Sequence, residues 1–283
     1  MAEASTYKST MAKGTADAST VRGNTDHPSP QVVLGRPSSP LEVQDPPDTA
    51  VTADDENVVY PKGRNLWLTV LSIMLASVMF GLDLTIVAVA VPSITDHFKT
   101  IKDIGWYSAV YGLVGSSVTF FWAKCYSVFS VKKCYLTSMI IFELGALVAT
   151  VAPTSTVFIL GRALSGCGGT GMKSGLFVLL THMFPNPSRP MWGGITGFAQ
   201  TATMVTAPLI GGALINKLSW RACFGINIPV GVFALVLVFF GFNSPIVNQD
   251  ENLPLKQKLW KLDPLGTVVF IASITCLLMA LQW

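Results

Sequence analysis

Charge is what this sequence has least of. Charged residues make up 12% of its 283 positions and apolar residues 51%, which is about half the charged share of a soluble domain. The deficit is uneven, because residues 1–64 hold 15 of the 35 charges and long stretches after Asn65 hold none. A soluble fold of this length needs charged faces on most of its elements, so a soluble enzyme is excluded. The few Lys and Arg residues never gather into a stripe, which excludes nucleic acid as a partner. The first twenty residues contain no apolar run, so no cleavable signal peptide is expected and the first hydrophobic span should act as the anchor. Paired cysteines are missing too. Cys125, Cys134, Cys167, Cys223 and Cys276 form no CxxC pair and have no His at ligand spacing. Neither a disulfide framework nor a metal site is predicted, and these thiols should behave as small hydrophobes.

What is present begins with a tail. Residues 1–64 are rich in Ser, Thr, Pro, Asp and Gly, carry 9 acidic and 6 basic residues, and show neither a helical nor a strand period. Such a segment buries too little apolar surface to offset its ordering entropy and reads as disordered. Ser29-Pro30 and Ser39-Pro40 are candidate phosphorylation sites or, more simply, ordinary Ser-Pro pairs in a floppy tail.

Beyond the tail lie the hydrophobic runs. A bilayer-crossing helix needs about 20 mostly apolar residues. Seven runs qualify: 66–91, 106–123, 134–152, 155–180, 192–215, 224–242 and 265–283, separated by turn residues such as Pro153 and the Pro185–Pro190 cluster. The class is an all-α polytopic membrane protein. With the tail in the cytosol, the inside flanks hold Lys62, Arg64, Lys124, Lys132, Lys133, Arg189, Lys256, Lys258 and Lys261. The outside loops then hold only Lys99, Lys102, Lys217 and Arg221, so the balance favours a cytosolic N-terminus. Residues 264–283 carry no charge, and no polar segment follows Leu281-Gln282-Trp283, so the chain reads as truncated after its seventh span.

Four ionisable residues fall inside these runs, each at an insertion cost of about 2.5–3.5 kcal/mol at mid-bilayer. At the helical rise, Asp83 in span 1, Glu143 in span 3 and Arg162 in span 4 all sit roughly 10–14 Å below the outer surface. Two carboxylates and a guanidinium at one level can pair, which removes most of their combined cost. Arg162 beside Asp83 would hold that carboxylate ionised. Glu143, if less well paired, would be disfavoured as a charge by desolvation and could bind a proton reversibly, as a proton-coupled carrier requires. A purely structural ion pair between spans 1 and 4 is the alternative. Lys173 lies near the far end of span 4 and is expected to snorkel to the cytosolic face, while His182 reads as interfacial.

Span 4 also carries a glycine run from Gly161 to Gly175. It imitates a phosphate-binding loop, but Met172 intervenes where Lys must follow Gly directly, and no strand precedes it. Gly168, Gly171 and Gly175 fall on one helix face, with Gly166 nearby, so a neighbouring backbone can approach closely. In span 5, Pro208 removes a backbone hydrogen bond and should bend the helix ahead of Gly211 and Gly212. A bend of that kind is tolerated only against protein or a cavity, so spans 4 and 5 should line something; packing alone is the other reading.

Four segments together resemble the major facilitator superfamily, most closely its fungal fourteen-span drug and toxin proton antiporters. They are Gly81-Leu82-Asp83-Leu84-Thr85-Ile86-Val87 through Val91-Pro92; Gly105-Trp106-Tyr107; Gly161-Arg162-Ala163 through Gly166 and Gly168; and Pro208 with Gly211-Gly212, then Trp220-Arg221 and Phe224 to Pro229. The chain departs from that pattern at Ala88, Thr203 and Ala207, and in the span 2–3 loop at Ala123, Ser127 and Ser130, where only Lys132 and Lys133 keep the basic end of the gating loop.

The resemblance implies a disordered cytosolic tail (1–64), a six-helix N-terminal major-facilitator bundle (65–242), a cytosolic loop (243–264) and a linker-type seventh span (265–283) in a cell membrane. It implies proton-driven export of a hydrophobic small molecule. Asp83, Glu143 and Arg162 would handle the proton, and Pro208, Gly211 and Gly212 would shape span 5 against a second transporter half. No cofactor is implied. Two other readings stay open: a facilitator or importer of a small nutrient, and a non-transporting remnant or membrane scaffold. An enzyme is not expected, since no Ser–His or paired-carboxylate arrangement lies at a water interface.

Overall fold

The computed structural model describes residues 63–242, Gln257, Leu262 and 264–282. The chain divides into two units at Val51/Thr52, and all described residues lie in the second. The tail up to Lys62, with Ser29 and Ser39, and the loop residues Lys256, Lys258 and Lys261 lie outside the described residues, as does Trp283.

Every described element is helical. The helices are α1 (Arg64–Phe98), α2 (Ile104–Val128), α3 (Val131–Val151), α4 (Ser155–Met183), α5 (Arg189–Lys217), α6 (Trp220–Gly225), α7 (Asn227–Gly241) and α8 (Pro264–Gln282), with a short 3₁₀ turn at Asn186–Ser188 before α5. Their ends are written locally. The Thr154 hydroxyl accepts from Val157 N at 3.4 Å to cap α4, and Ser219 accepts from Arg221 N at 3.1 Å to cap α6. Lys99 closes α1 in the left-handed conformation at φ 53°, its N–H bonded to Thr95 O. At the far end of α4, Arg189 donates to the carbonyls of Phe184 and Thr181, at 2.9 and 3.1 Å. Those groups would otherwise be orphaned.

Four of these segments are long and apolar enough to cross a membrane: Arg64–Phe98, Val131–Val151, Asn186–Lys217 and Trp220–Gly241. The protein is an all-α polytopic membrane protein. Seven spans were expected, and the difference has a compositional cause. Helices α2 and α4 have the length, but Gly, Ser, Thr and Tyr dilute their apolar character, while the stretch Leu265–Leu277 is short. Those same small residues are what allow α4 to pack closely. A Cβ on Gly161 would stand 2.6 Å from Ala149 N, and Gly168 abuts the backbone of Ser138 and Phe142, so α3 and α4 meet main chain to main chain. Gly166 does the same against Tyr111 on α2. Helix α5 runs unbroken across Pro208. Gly211 faces Ile86 of α1, whereas nothing lies within 4 Å of where a Cβ on Gly212 would be.

The core is split in two. One apolar cluster gathers Val70–Met79 of α1 with Met139 and Phe142 of α3, Met172–Met183 of α4, and Ala234 and Val238 of α7. The other gathers Leu82–Ile94 of α1 with Tyr107, Ala149, Phe158, Ala207, Trp220 and Phe224. Phe158 is ringed edge-on by Tyr107, Trp220 and Phe224, at 5.2–5.7 Å between centroids. The helices α1, α3 and α4 pass from one cluster to the other at Asp83, Glu143 and Arg162.

Candidate functional site

That seam between the two apolar clusters is where the ionisable residues collect. Asp83 and Arg162 are each 1% exposed. The Arg162 Nη1 donates to Asp83 Oδ1 at 2.7 Å, Nη2 to the Asp83 carbonyl at 3.3 Å and Nε to the Tyr107 carbonyl at 3.4 Å. Helix α4 is thereby tied to both α1 and α2. The guanidinium also lies over the Tyr111 ring at 4.6 Å and near the Phe224 ring at 5.6 Å. A planar cation with aromatic faces beside it and a carboxylate at its edge meets most of its needs without water.

Glu143 is not in that pair. Its carboxylate is turned toward α1 and α7, where Met79 and Gly231 bound it; any side chain at position 231 would overlap it. Both carboxylate oxygens are buried without a hydrogen-bond partner, and the Asp83 charge lies within electrostatic range. The depth counted along the helices is therefore matched by a common seam, but only two of the three charges join. Asp83 Oδ2, the Tyr111 hydroxyl, the Ser165 hydroxyl and Asn227 Nδ2 are also buried without partners among the described residues. Buried polar atoms are normally satisfied, so these unsatisfied ones make the seam a candidate site.

Lys173 departs from expectation. Its ammonium lies 5.6 Å from the centroid of the Phe80 ring, one turn from Asp83 along α1. Side chains tilt toward the N-terminus of their own helix, and in α4 that direction leads back toward Arg162, away from the α4 terminus. Lys173 lines a cleft of about 500 Å³ between α1, α2 and α4, together with Phe80, Leu84, Tyr111, Thr119, Thr170 and Phe177. Tyr111 is thus shared: Arg162 covers its ring, and the cleft meets the same residue.

The remaining predicted residues are more dispersed. Gly166, Gly168 and Gly171 serve the α4 contacts, Gly171 against Trp122 and Ser138. Pro208 and Gly212 lie along α5, outside the seam. In the first turn of α3, Lys132 donates to the Phe239 carbonyl at 2.8 Å and lies over that ring, closing the last turn of α7. At the other end, Ser155 donates to Asp103 at 2.6 Å and bonds the Tyr107 hydroxyl at 3.0 Å. Tyr107, Tyr111, Ser155 and Gly231 were not singled out as site residues from sequence; a tyrosine or glycine in an apolar run carries no charge signal to betray it. No group of three or more His, Cys, Asp or Glu is arranged to hold a metal among the described residues, and the five cysteines are unpaired.

Residues 73–283 match the sequence profile described as Major Facilitator Superfamily. Among curated proteins, the chain is 42% identical over 221 residues to the "Efflux pump aflT" of Aspergillus parasiticus, covering 78% of this chain and 43% of that protein. It is 38% identical to the "Aspyridones efflux protein" of Neocamarosporium betae, over 79% of this chain and 40% of that one. It is 40% identical to the "Rubrofusarin-specific efflux pump aurT" of Gibberella zeae, over 79% and 41%. The chain spans less than half the length of these relatives.

Proposed function

The chain belongs to the major facilitator superfamily, and from that premise we propose that it forms the first helical half of a proton-driven exporter of hydrophobic small molecules. The observation that carries the reading is the seam. A fully buried Asp83–Arg162 pair stands beside a carboxylate, Glu143, that has no partner of its own. The efflux names of the similar proteins support export over import.

In this reading Glu143 holds the proton, because a neutral acid between Met79 and Gly231 costs far less than a carboxylate without a counterion. Asp83 is held by Arg162, which donates to it directly. The α1–α2–α4 cleft receives the cargo, and Tyr111 carries its presence to Arg162, which it touches. Alternating access needs a second bundle to rock against. Helix α5 is suited to face it, with Phe198, Val205 and Leu209 at 72–76% exposure and Pro208, Gly212 beside them. The N-terminus lies in the cytosol, α6–α7 completes a six-helix bundle over 65–242, and α8 begins the fourteen-span linker. Lys132 and Lys133 form the basic end of the gating loop, with Lys132 clasping α7.

The test is uptake into inside-out vesicles with an acidic lumen, using a panel of one neutral, one acidic and one cationic fluorescent hydrophobic compound. Accumulation of at least one compound, abolished by a protonophore and by Arg162→Ala, is the expected result. Uptake unchanged by both treatments overturns the reading.

A further inference from the structure

The cleft has a charge that the proton machinery does not use. Lys173 is exposed to the cleft, forms no ion pair among the described residues, and has the Phe80 ring beside its ammonium. Among the described residues, no carboxylate lines the cleft. Asp83 is taken by Arg162, and Glu143 is turned to the α7 side. Ser116 and Thr119 of α2 are exposed on the same wall, with Thr170 and Ser174 of α4 beside Lys173. Hydrocarbon would leave that ammonium unsatisfied, so this surface faces water or a polar ligand. At about 500 Å³ the cleft lies within the usual range for a small-molecule site.

We infer that Lys173 makes the α1–α2–α4 cleft a site for a hydrophobic aromatic acid, bound as its carboxylate or phenolate. The anion meets the ammonium in a charge-assisted contact, and its rings lie against Phe80, Tyr111 and Phe177. The Thr119 and Thr170 hydroxyls donate to the Gly115 and Gly166 carbonyls of their own helices, at 2.8 and 2.9 Å, so Lys173 is the donor that meets the anion. The same placement disfavours lipophilic cations, since the cleft offers them a like charge and no carboxylate. The inference rests on the cleft being the cargo site of the exporter proposed above, and it narrows that cargo to acids.

Equilibrium binding tests it without a gradient, so a failure of export does not obscure the result. The purified chain in phosphatidylcholine nanodiscs is titrated with 2-anthroate, with its neutral carboxamide and with the cationic dye rhodamine 6G, followed by ligand fluorescence. The acid is expected to bind roughly tenfold or more tightly than the amide, the size of one charge-assisted hydrogen bond. Lys173→Met should erase that preference and Lys173→Arg should keep it, which separates charge from misfolding. Equal affinity for acid and amide in the unmodified chain overturns the inference, as does a Lys173→Met variant that keeps the preference. Loss of acid binding on adding phosphatidylglycerol would assign the lysine to a lipid phosphate and overturn it as well.

Discussion

Arg162 and Asp83 face each other at 2.7 Å with neither side chain reaching solvent. Removing one partner of such a pair leaves the other charge buried and alone, at a cost of about 3–5 kcal/mol. Asp83→Ala and Arg162→Ala should each lower the melting temperature of the purified chain sharply, while the double variant should lose less than the two single losses added together. Strict additivity would mean the pair is not coupled. Glu143 predicts the opposite pattern, because its carboxylate has no partner to lose. Glu143→Gln keeps the shape and removes the charge, so stability should hold or rise while proton-driven uptake falls at least tenfold; unchanged uptake would remove Glu143 from the proton path. The pair was legible in the sequence, since charges inside apolar runs are rare and counting along each helix gives their depth. Its selectivity was not. Depth says nothing about which way a side chain faces around its helix, so the exclusion of Glu143 and the turn of Lys173 toward Phe80 needed the packed helices. Tyr111 left no trace at all, being uncharged and mid-helix.

Among the elements, α4 is the one whose sequence explains its place most directly. Gly161 and Gly168 lie on its α3 side and Gly166 on its α2 side, each against a neighbouring backbone. Gly168→Val should force α3 and α4 apart at a cost of about 1–3 kcal/mol or more, as overpacking does. Gly212→Val, placed in open space on α5, should change stability little. Comparable melting losses in both would contradict this account of the packing. The small-residue spacing made such contacts legible, though not which neighbour each glycine would meet. The sixth hydrophobic run was read as one span over 224–242, and Trp220–Gly241 is long and apolar enough to be one, with α6 and α7 meeting at Ile226 in a helical conformation. At Pro208 the missing backbone bond does not end α5; the helix continues on both sides to Lys217.

At the scale of the whole molecule, two apolar clusters enclose a polar seam, and a cleft opens beside it on α1, α2 and α4. The arrangement sets Glu143, turned to α7, apart from the cleft, with Tyr111 and the Asp83–Arg162 pair between them, as the proposed exporter requires. Composition alone gave the membrane class, and the four quoted segments pointed to the family. The course of the clusters depends on helix crossings that no single run encodes. The central claim is exchange: cargo moves one way because protons move the other. Luminal pH in acid-loaded inside-out vesicles, read by a trapped pH-sensitive dye when a transported compound is added, tests it most directly. The account predicts that addition makes the lumen more alkaline, and that Glu143→Gln and Arg162→Ala abolish the change. Accumulation of the compound with no movement of luminal pH would contradict it.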